Sequence, residues 1–267
     1  MVRSFANLSL DHLLIMGIVN VTPDSFTDGG EFLDVASAID HGKKLLADGA
    51  DILDIGGEST RPGAVPVSSK VEAGRVLPVI EGLAKTGAVI SIDTRHADVM
   101  TRALDAGAVI LNDVSALEGE GSLAVAAKSD AAVVLMHMQG EPATMMDNPT
   151  YKNVVGEVSR YLGTRIDACV DAGIDKARIA IDPGFGFGKT RDQNLKLIDN
   201  LDQFKELGCP ILVGLSRKFG RHKKLHERLP ESFAVAVKSV HNGAEILRVH
   251  DVAETRDALS ALHVEGA

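Results

Sequence analysis

Ile179-Ala180-Ile181-Asp182-Pro183-Gly184-Phe185-Gly186-Phe187-Gly188-Lys189 reads as a short buried strand that stops on an acid and runs into a loop carrying three glycines. A helical pattern precedes it. Such a stretch builds a core poorly, yet it holds a carboxylate well at the mouth of a pocket. The glycines let backbone come close to a ligand, and Phe185 and Phe187 are placed to wall it. A plain strand-to-loop turn with a solvated Asp is the competing reading, and the neighbouring segments decide between the two.

Working outward, the same arrangement recurs. Strand-like runs fall at Leu14–Asn20, Ile52–Ile55, Val89–Asp93, Val109–Asn112, Ala132–His137, Ile179–Asp182, Ile211–Gly214 and Ile246–His250. Amphipathic segments lie between them at Val35–Asp48, Ser69–Leu83, Ala97–Ala106, Gly121–Lys128, Tyr151–Ala172, Leu195–Leu207 and Ser232–Asn242, and Val252–Leu262 follows the last run. Strands that each lead into a helix predict an α/β fold with a closed parallel sheet, a single (β/α)8 TIM barrel spanning residues 1–267. No linker or low-complexity segment suggests a second domain.

An internal echo supports this. Gly49-Ala50-Asp51-Ile52-Leu53-Asp54, Gly107-Ala108-Val109-Ile110-Leu111-Asn112 and Gly243-Ala244-Glu245-Ile246-Leu247-Arg248 share one pattern. In each, a Gly suited to the left-handed end of a helix precedes the Ile-Leu of a buried strand. Each reaches a polar residue at its sixth position. The spacing between units varies, so this is a repeated helix-to-strand turn and not a solenoid.

The strand ends are polar throughout: Asn20, Asp54, Asp93, Asn112 with Asp113, His137, Asp182, Ser216 to Lys218, and Arg248 with His250. A barrel brings such residues together on its C-terminal face, where barrel enzymes keep their sites. Two loops there are long and rich in turn residues, Val21–Asp34 after the first strand and Gly56–Ser68 after the second. Long loops in a compact domain are usually functional.

The chain has 267 residues, of which 45% are hydrophobic, and a net charge of −9. That charge argues against a broad nucleic-acid surface and requires that any anionic ligand meet a local basic cluster. Two cysteines, Cys169 and Cys209, suit a reducing compartment better than a disulfide framework. No apolar run is long enough to span a membrane, and Met1 to Asp11 does not read as a signal peptide. The expectation is a cytoplasmic protein.

Seven motifs in order resemble the dihydropteroate synthase family. They are Asn20-Val21-Thr22-Pro23-Asp24-Ser25-Phe26, Gly56-Gly57-Glu58-Ser59-Thr60-Arg61-Pro62-Gly63, Ser91-Ile92-Asp93-Thr94, Leu111-Asn112-Asp113, Asp182 to Lys189, Ser216-Arg217-Lys218 and Arg248-Val249-His250-Asp251. The resemblance runs from about Leu14 to Leu259. It implies a barrel enzyme of folate synthesis that joins 4-aminobenzoate to a 6-hydroxymethyl-dihydropterin diphosphate and releases pyrophosphate, and it implies a homodimer.

By the same resemblance Asp93, Asn112 and Asp182 bind the pterin ring, whose donor-rich edge suits carboxylate and amide acceptors. Asp93 could instead cap the helix beginning near Ala97. Lys218 would lie over the pterin, and Met136 beneath it, although Met136 could equally be core packing. Arg248 and His250, two apart on a strand and so facing one way, would meet the departing pyrophosphate. Arg61 and Thr60 would help hold pyrophosphate, and Phe26, Pro62, Phe187 and Ser216 would shape the aminobenzoate pocket with Lys218. Asn20 would supply an oxygen ligand to magnesium. Of these, Lys218, Arg248, His250 and Arg61 are the expected catalytic groups.

The chain departs from the family pattern at Phe219 and at Glu231-Ser232, which bears on the shape of that loop and on the entry to the next helix. A pterin-binding methyltransferase domain is the nearest competing class, but it typically lacks the Asn20–Phe26 arm and the Ser216-Arg217-Lys218 loop. A paralogue that binds pterin without turnover is the other.

Overall fold

A computed structural model describes residues 3–22, 31–59, 64–142, 144–214 and 229–261. Within them a short antiparallel hairpin, β1 (Ser4–Phe5) and β2 (Leu8–Ser9), precedes the barrel strands. These are β3 (Leu14–Asn20), β4 (Ile52–Gly56), β5 (Val89–Asp93), β6 (Ile110–Asp113), β7 (Ala132–Met136), β8 (Ile179–Asp182), β9 (Leu212–Val213) and β10 (Ile246–Val249). The helices are α1 (Glu31–Ala47), α2 (Ser69–Ala84), α3 (Ala97–Asp105), α4 (Ser122–Lys128), α5 (Val154–Asp171), α6 (Arg191–Asp199), α7 (Leu229–His241) and α8 (Val252–Ala261).

All eight barrel strands run parallel, in the order β8-β7-β6-β5-β4-β3-β10-β9. The seam between β8 and β9 closes through a parallel bridge of Ile181 with Ile211 and through Ile181 N donating to Pro210 O at 2.9 Å. The expected barrel is therefore found.

Alternation along the strands positions the site. Leu14, Met16, Ile52, Ile110, Ala132, Val134, Ala180, Leu212 and Ile246 pack together inside the barrel. Their strand neighbours, among them Ile15, Leu53, Leu111, Val133, Ile181 and Leu247, pack instead with the helices. Two residues beyond Ile52, Ile110, Ala180 and Ile246 on the same inward face come Asp54, Asn112, Asp182 and Arg248. The interior is thus apolar below and polar above. Phe5 of the hairpin, 1% exposed, joins the lower cluster and plugs the barrel floor. That hairpin is too short to leave a periodic signal in the sequence.

The three echo glycines behave as expected: Gly49, Gly107 and Gly243 have φ of 98, 114 and 107° and end α1, α3 and α7. Several boundaries differ from the reading. α1 begins at Glu31, so the loop read as Val21–Asp34 is shorter. α5 starts at Val154 because Asn153 caps it, accepting from Gly156 N at 3.2 Å.

The segment read as one helix, Leu195–Leu207, is two. α6 starts earlier, at Arg191, because Thr190 and Gln193 form a capping box. It ends at Asn200 (φ −124°), and a 3-10 helix continues over Leu201–Leu207 to the left-handed Gly208.

The departure at Glu231-Ser232 leaves α7 intact. Glu231, in its first turn, pairs with Arg191 at 3.2 Å and so joins the starts of α6 and α7. Phe219 lies outside the described residues.

Candidate active site

Four buried or nearly buried side chains meet at the barrel mouth. Asp54, with no exposed surface, accepts from Arg248 Nε at 2.6 Å and from Asn112 Nδ2 at 3.2 and 3.3 Å. Arg248 also donates Nη2 to Asp93 at 2.6 Å. The planar guanidinium thus spans two carboxylates on β4 and β5, which a point charge could not do.

Asp54 is the group that sequence reasoning missed as a site residue. It was visible as a polar strand end, and as the sixth residue of the first echo unit. The sixth residues of all three units, Asp54, Asn112 and Arg248, form this one network.

The network orients the predicted ligands. Because the Asn112 amide NH2 is turned to Asp54, its oxygen is left on the other side of the amide as an acceptor. Asp93 is no helix cap: His96 occupies that place before α3, and Asp93 is committed to Arg248. Burial pushes the Asp93 carboxyl up to about 7 against the pull of Arg248, with Asp54 nearby adding to the rise.

Asp182 is 5% exposed and accepts from Gly184 N at 2.7 Å. Its strand neighbour in register is Met136, which packs with Phe187, Val114 and Met145. Phe187 and Met136 therefore come together in one apolar cluster. Phe185 does not join them: it is 1% exposed and packs in the core between sheet and helices, so its expected role as a wall is corrected.

Asp113 is likewise no mouth residue. The pleat turns it away from Asn112, and it holds the following loop by accepting from Ser115 N, Ser115 Oγ and Leu117 N. His250 lies one residue past the end of β10, so strand pleating does not by itself align it with Arg248. Asn20 ends β3 half-buried, on the inward face with Met16. Phe26, Thr60, Arg61, Pro62, Ser216 and Lys218 lie outside the described residues.

A second network flanks the mouth. Buried Glu72 accepts from Thr94 Oγ1 at 2.8 Å and lies 2.7 Å from His96 Nδ1, and Glu58 pairs with Arg95 at 3.0 Å. Burial raises the Glu72 carboxyl above its usual range, opposed by its bonds to His96 and Thr94. Glu58, Glu72 and His96 have the spacing of metal ligands; Glu58 is paired with Arg95, and Glu72 meets Thr94 and His96 through Oε2 alone, its buried Oε1 having no hydrogen-bond partner among the described residues. A cavity of about 800 Å³ beside it is lined by Arg95, His96, Ser115, Glu118, Met138 and Tyr161, and Asp93, Asn112 and Asp182 are not among its described lining residues.

His137, just past β7, is 7% exposed, with Tyr161 edge-on at 5.0 Å. Burial, then the charge of Lys189, lowers its pKa to about 3, so the ring is neutral and Nδ1 accepts from Lys189 Nζ at 2.9 Å. The native state therefore binds fewer protons here than the unfolded chain, and stability falls as pH drops below about 6.5.

Between pH 7.5 and pH 5 this group alone is expected to cost about 2 kcal/mol. His137→Asn keeps an acceptor near the Nδ1 position and does not titrate. Urea unfolding of both proteins at the two pH values checks the effect, and identical pH dependence would refute it.

A parallel barrel that gathers carboxylates, an amide and a guanidinium on its C-terminal face has the architecture of a barrel enzyme with a polar site at its mouth. The chain matches the family described as pterin binding enzyme over residues 16–250. It is 48% identical over 270 residues to a dihydropteroate synthase of Neisseria meningitidis, covering 97% of this chain and 95% of that one.

Among solved structures, Xanthomonas albilineans dihydropteroate synthase with 4-aminobenzoic acid is 49% identical, covers 96% of this chain and 93% of its own, and superposes with a TM-score of 0.89. The same organism's enzyme in complex with 7,8-dihydropteroate is 46% identical, with coverage of 96% and 94% and a TM-score of 0.86. The chain belongs to the dihydropteroate synthase family.

Proposed function

We propose that the barrel mouth joins 4-aminobenzoate to 6-hydroxymethyl-7,8-dihydropterin diphosphate, giving 7,8-dihydropteroate and pyrophosphate, with the residue roles that follow. The observation that carries the reading is the Asp54–Asn112–Arg248–Asp93 network beside Asp182, set on strand ends under the mouth. Kinship with synthases solved with 4-aminobenzoic acid and with 7,8-dihydropteroate supports it.

Asp182, Asn112 and Asp93 accept from the donor edge of the pterin, and Met136 packs against its face. Arg248 and His250 stabilise the charge that builds on the diphosphate as its C–O bond breaks. The aminobenzoate nitrogen forms the new C–N bond to the same methylene carbon and loses a proton. Phe187 lines the aminobenzoate side. Lys218, Arg61, Thr60, Phe26, Pro62 and Ser216 complete the reading from outside the described residues.

Magnesium belongs to this reading. The Asn20 side chain makes no hydrogen bond among the described residues and offers an amide oxygen, a donor type that suits this ion. Asn20 would hold it together with diphosphate oxygens. Bound there, the ion supplies neutralising charge to the leaving group. Family kinship also supports a homodimer. The two cysteines are buried and free, which fits a reducing compartment such as the cytoplasm. No helix among the described residues is long and apolar enough to cross a membrane.

Incubating the purified protein with both substrates and magnesium, and following dihydropteroate and pyrophosphate, tests the reading. Both products are expected in equal amounts. Tight pterin binding without product would identify a paralogue that does not turn over, and methyl transfer from a methylated pterin would favour the methyltransferase reading.

A further inference from the structure

Lys189 closes the glycine loop that follows Asp182, and no role in the reaction accounts for it. It is 1% exposed, among the largest fully buried side chains of the protein. Its Nζ lies 2.8 Å from Gly184 O, 2.9 Å from His137 Nδ1, 3.0 Å from Phe187 O and 3.2 Å from His137 O. An ammonium has three hydrogens, so these acceptors occupy its donors fully. Burying such a charge is costly without that satisfaction, and a flexible stem ending in a compact, three-donor head is what converging carbonyls require.

We infer that Lys189 is the positioning residue of the pterin site: its ammonium seats the Gly184–Gly188 loop on the end of β7 and so sets where Asp182 and Phe187 stand. The inference rests on the function proposed above.

Three contacts carry it. Gly184 accepts from Lys189 through its carbonyl while its N–H donates to Asp182 Oδ1 at 2.7 Å, so one residue links the ammonium to the carboxylate. Phe187, the pocket wall, is held by its own carbonyl. His137, which accepts through both ring and carbonyl, donates its backbone N–H to Asp182 O at 3.0 Å. The loop and β7 meet backbone to backbone. Gly184 has φ of 72°, and a Cβ there would fall 1.8 Å from His137 O. The ammonium therefore bridges the two segments where no side chain fits between them at Gly184, alongside Tyr151 Oη, which donates to Gly188 O at 3.0 Å, and Asn194 Oδ1, which accepts from Gly186 N at 2.9 Å.

The test compares Lys189→Met, which keeps the stem and removes the donors, with Leu83→Ala. Leu83 is buried on α2 at the opposite end of the barrel and serves as a control for stability loss alone. Pterin affinity is measured by calorimetry well below both melting temperatures, together with kcat and KM for aminobenzoate.

Lys189→Met is expected to bind pterin at least tenfold more weakly and to raise KM for aminobenzoate. Leu83→Ala is expected to bind pterin as the native protein does. Native affinity in folded Lys189→Met, or an equal loss in Leu83→Ala, overturns the inference. A native protein that binds no pterin would instead overturn the functional reading.

If Lys189→Met does not fold, nitrogen-15 NMR of the lysine-labelled native protein answers the question. A slowly exchanging Lys189 ammonium signal that moves on pterin saturation supports the role. A solvent-averaged signal, or one indifferent to pterin, overturns it.

Discussion

Arg248→Ala will destabilise the protein by about 3–5 kcal/mol and abolish use of the diphosphate substrate. The stability loss follows from what Arg248 leaves behind. Asp54 has no exposed side-chain surface and Asp93 is 12% exposed, and each receives a guanidinium hydrogen at 2.6 Å. Without the cation, two neighbouring carboxylates share one buried site, and removing one partner of a buried ion pair costs about this much.

Arg248→Lys restores the charge but cannot reach both carboxylates in the planar, two-pronged way of the native side chain. Part of the stability should return and little of the activity. Arg248→Met with Asp54→Asn goes further, removing charge of both signs, and should recover the fold while remaining inactive. Urea midpoints and turnover of the three variants separate these effects. If Arg248→Ala is as stable as the native protein, the network contributes nothing to folding. If it still uses the diphosphate, the guanidinium does not serve the leaving group.

Asp182→Asn is expected to weaken pterin binding by about 1.5–3 kcal/mol, the worth of a charged hydrogen bond, and to leave the fold intact. Asn keeps an oxygen for Gly184 N, which Asp182 Oδ1 serves now at 2.7 Å. What it loses is the negative charge and the second acceptor, which a ring edge made of adjacent donors engages most strongly. Calorimetry with a pterin lacking the diphosphate isolates this contact from the charge of Arg248. Unchanged affinity in the folded variant would place the pterin edge elsewhere.

The two substitutions differ in kind, and the difference reflects how the site is built. Arg248 belongs to a network that the barrel satisfies internally, so its removal is expected to be felt in folding and in chemistry together. Asp182 lies beside that network, on a strand registered with Met136 and followed by a loop whose backbone is held from below by Lys189. Its removal is expected to be felt mainly by the ligand.

Strand-length apolar runs each ending in a polar residue, separated by amphipathic segments, were enough to read the barrel, and the three Gly-Ala echoes were enough to read its helix-to-strand turns. Those signals are local: a strand's period of two and a glycine's left-handed φ are set by the residues themselves. The family motifs then marked Asp93, Asn112, Asp182 and Arg248 as one site.

What the sequence alone could not decide was which polar groups answer one another. Asp54 and Arg248 are 194 residues apart and bond at 2.6 Å only because β4 and β10 both flank β3 in the closed sheet. The same closure turns Phe185 into the core and Phe187 toward Met136, and it makes Lys189 a buried hub and not a loop lysine. Period and propensity carry no information about partners across the barrel. That information enters when strand order and register place side chains from distant segments within hydrogen-bonding distance, and burial then makes each unpaired charge too costly to leave alone.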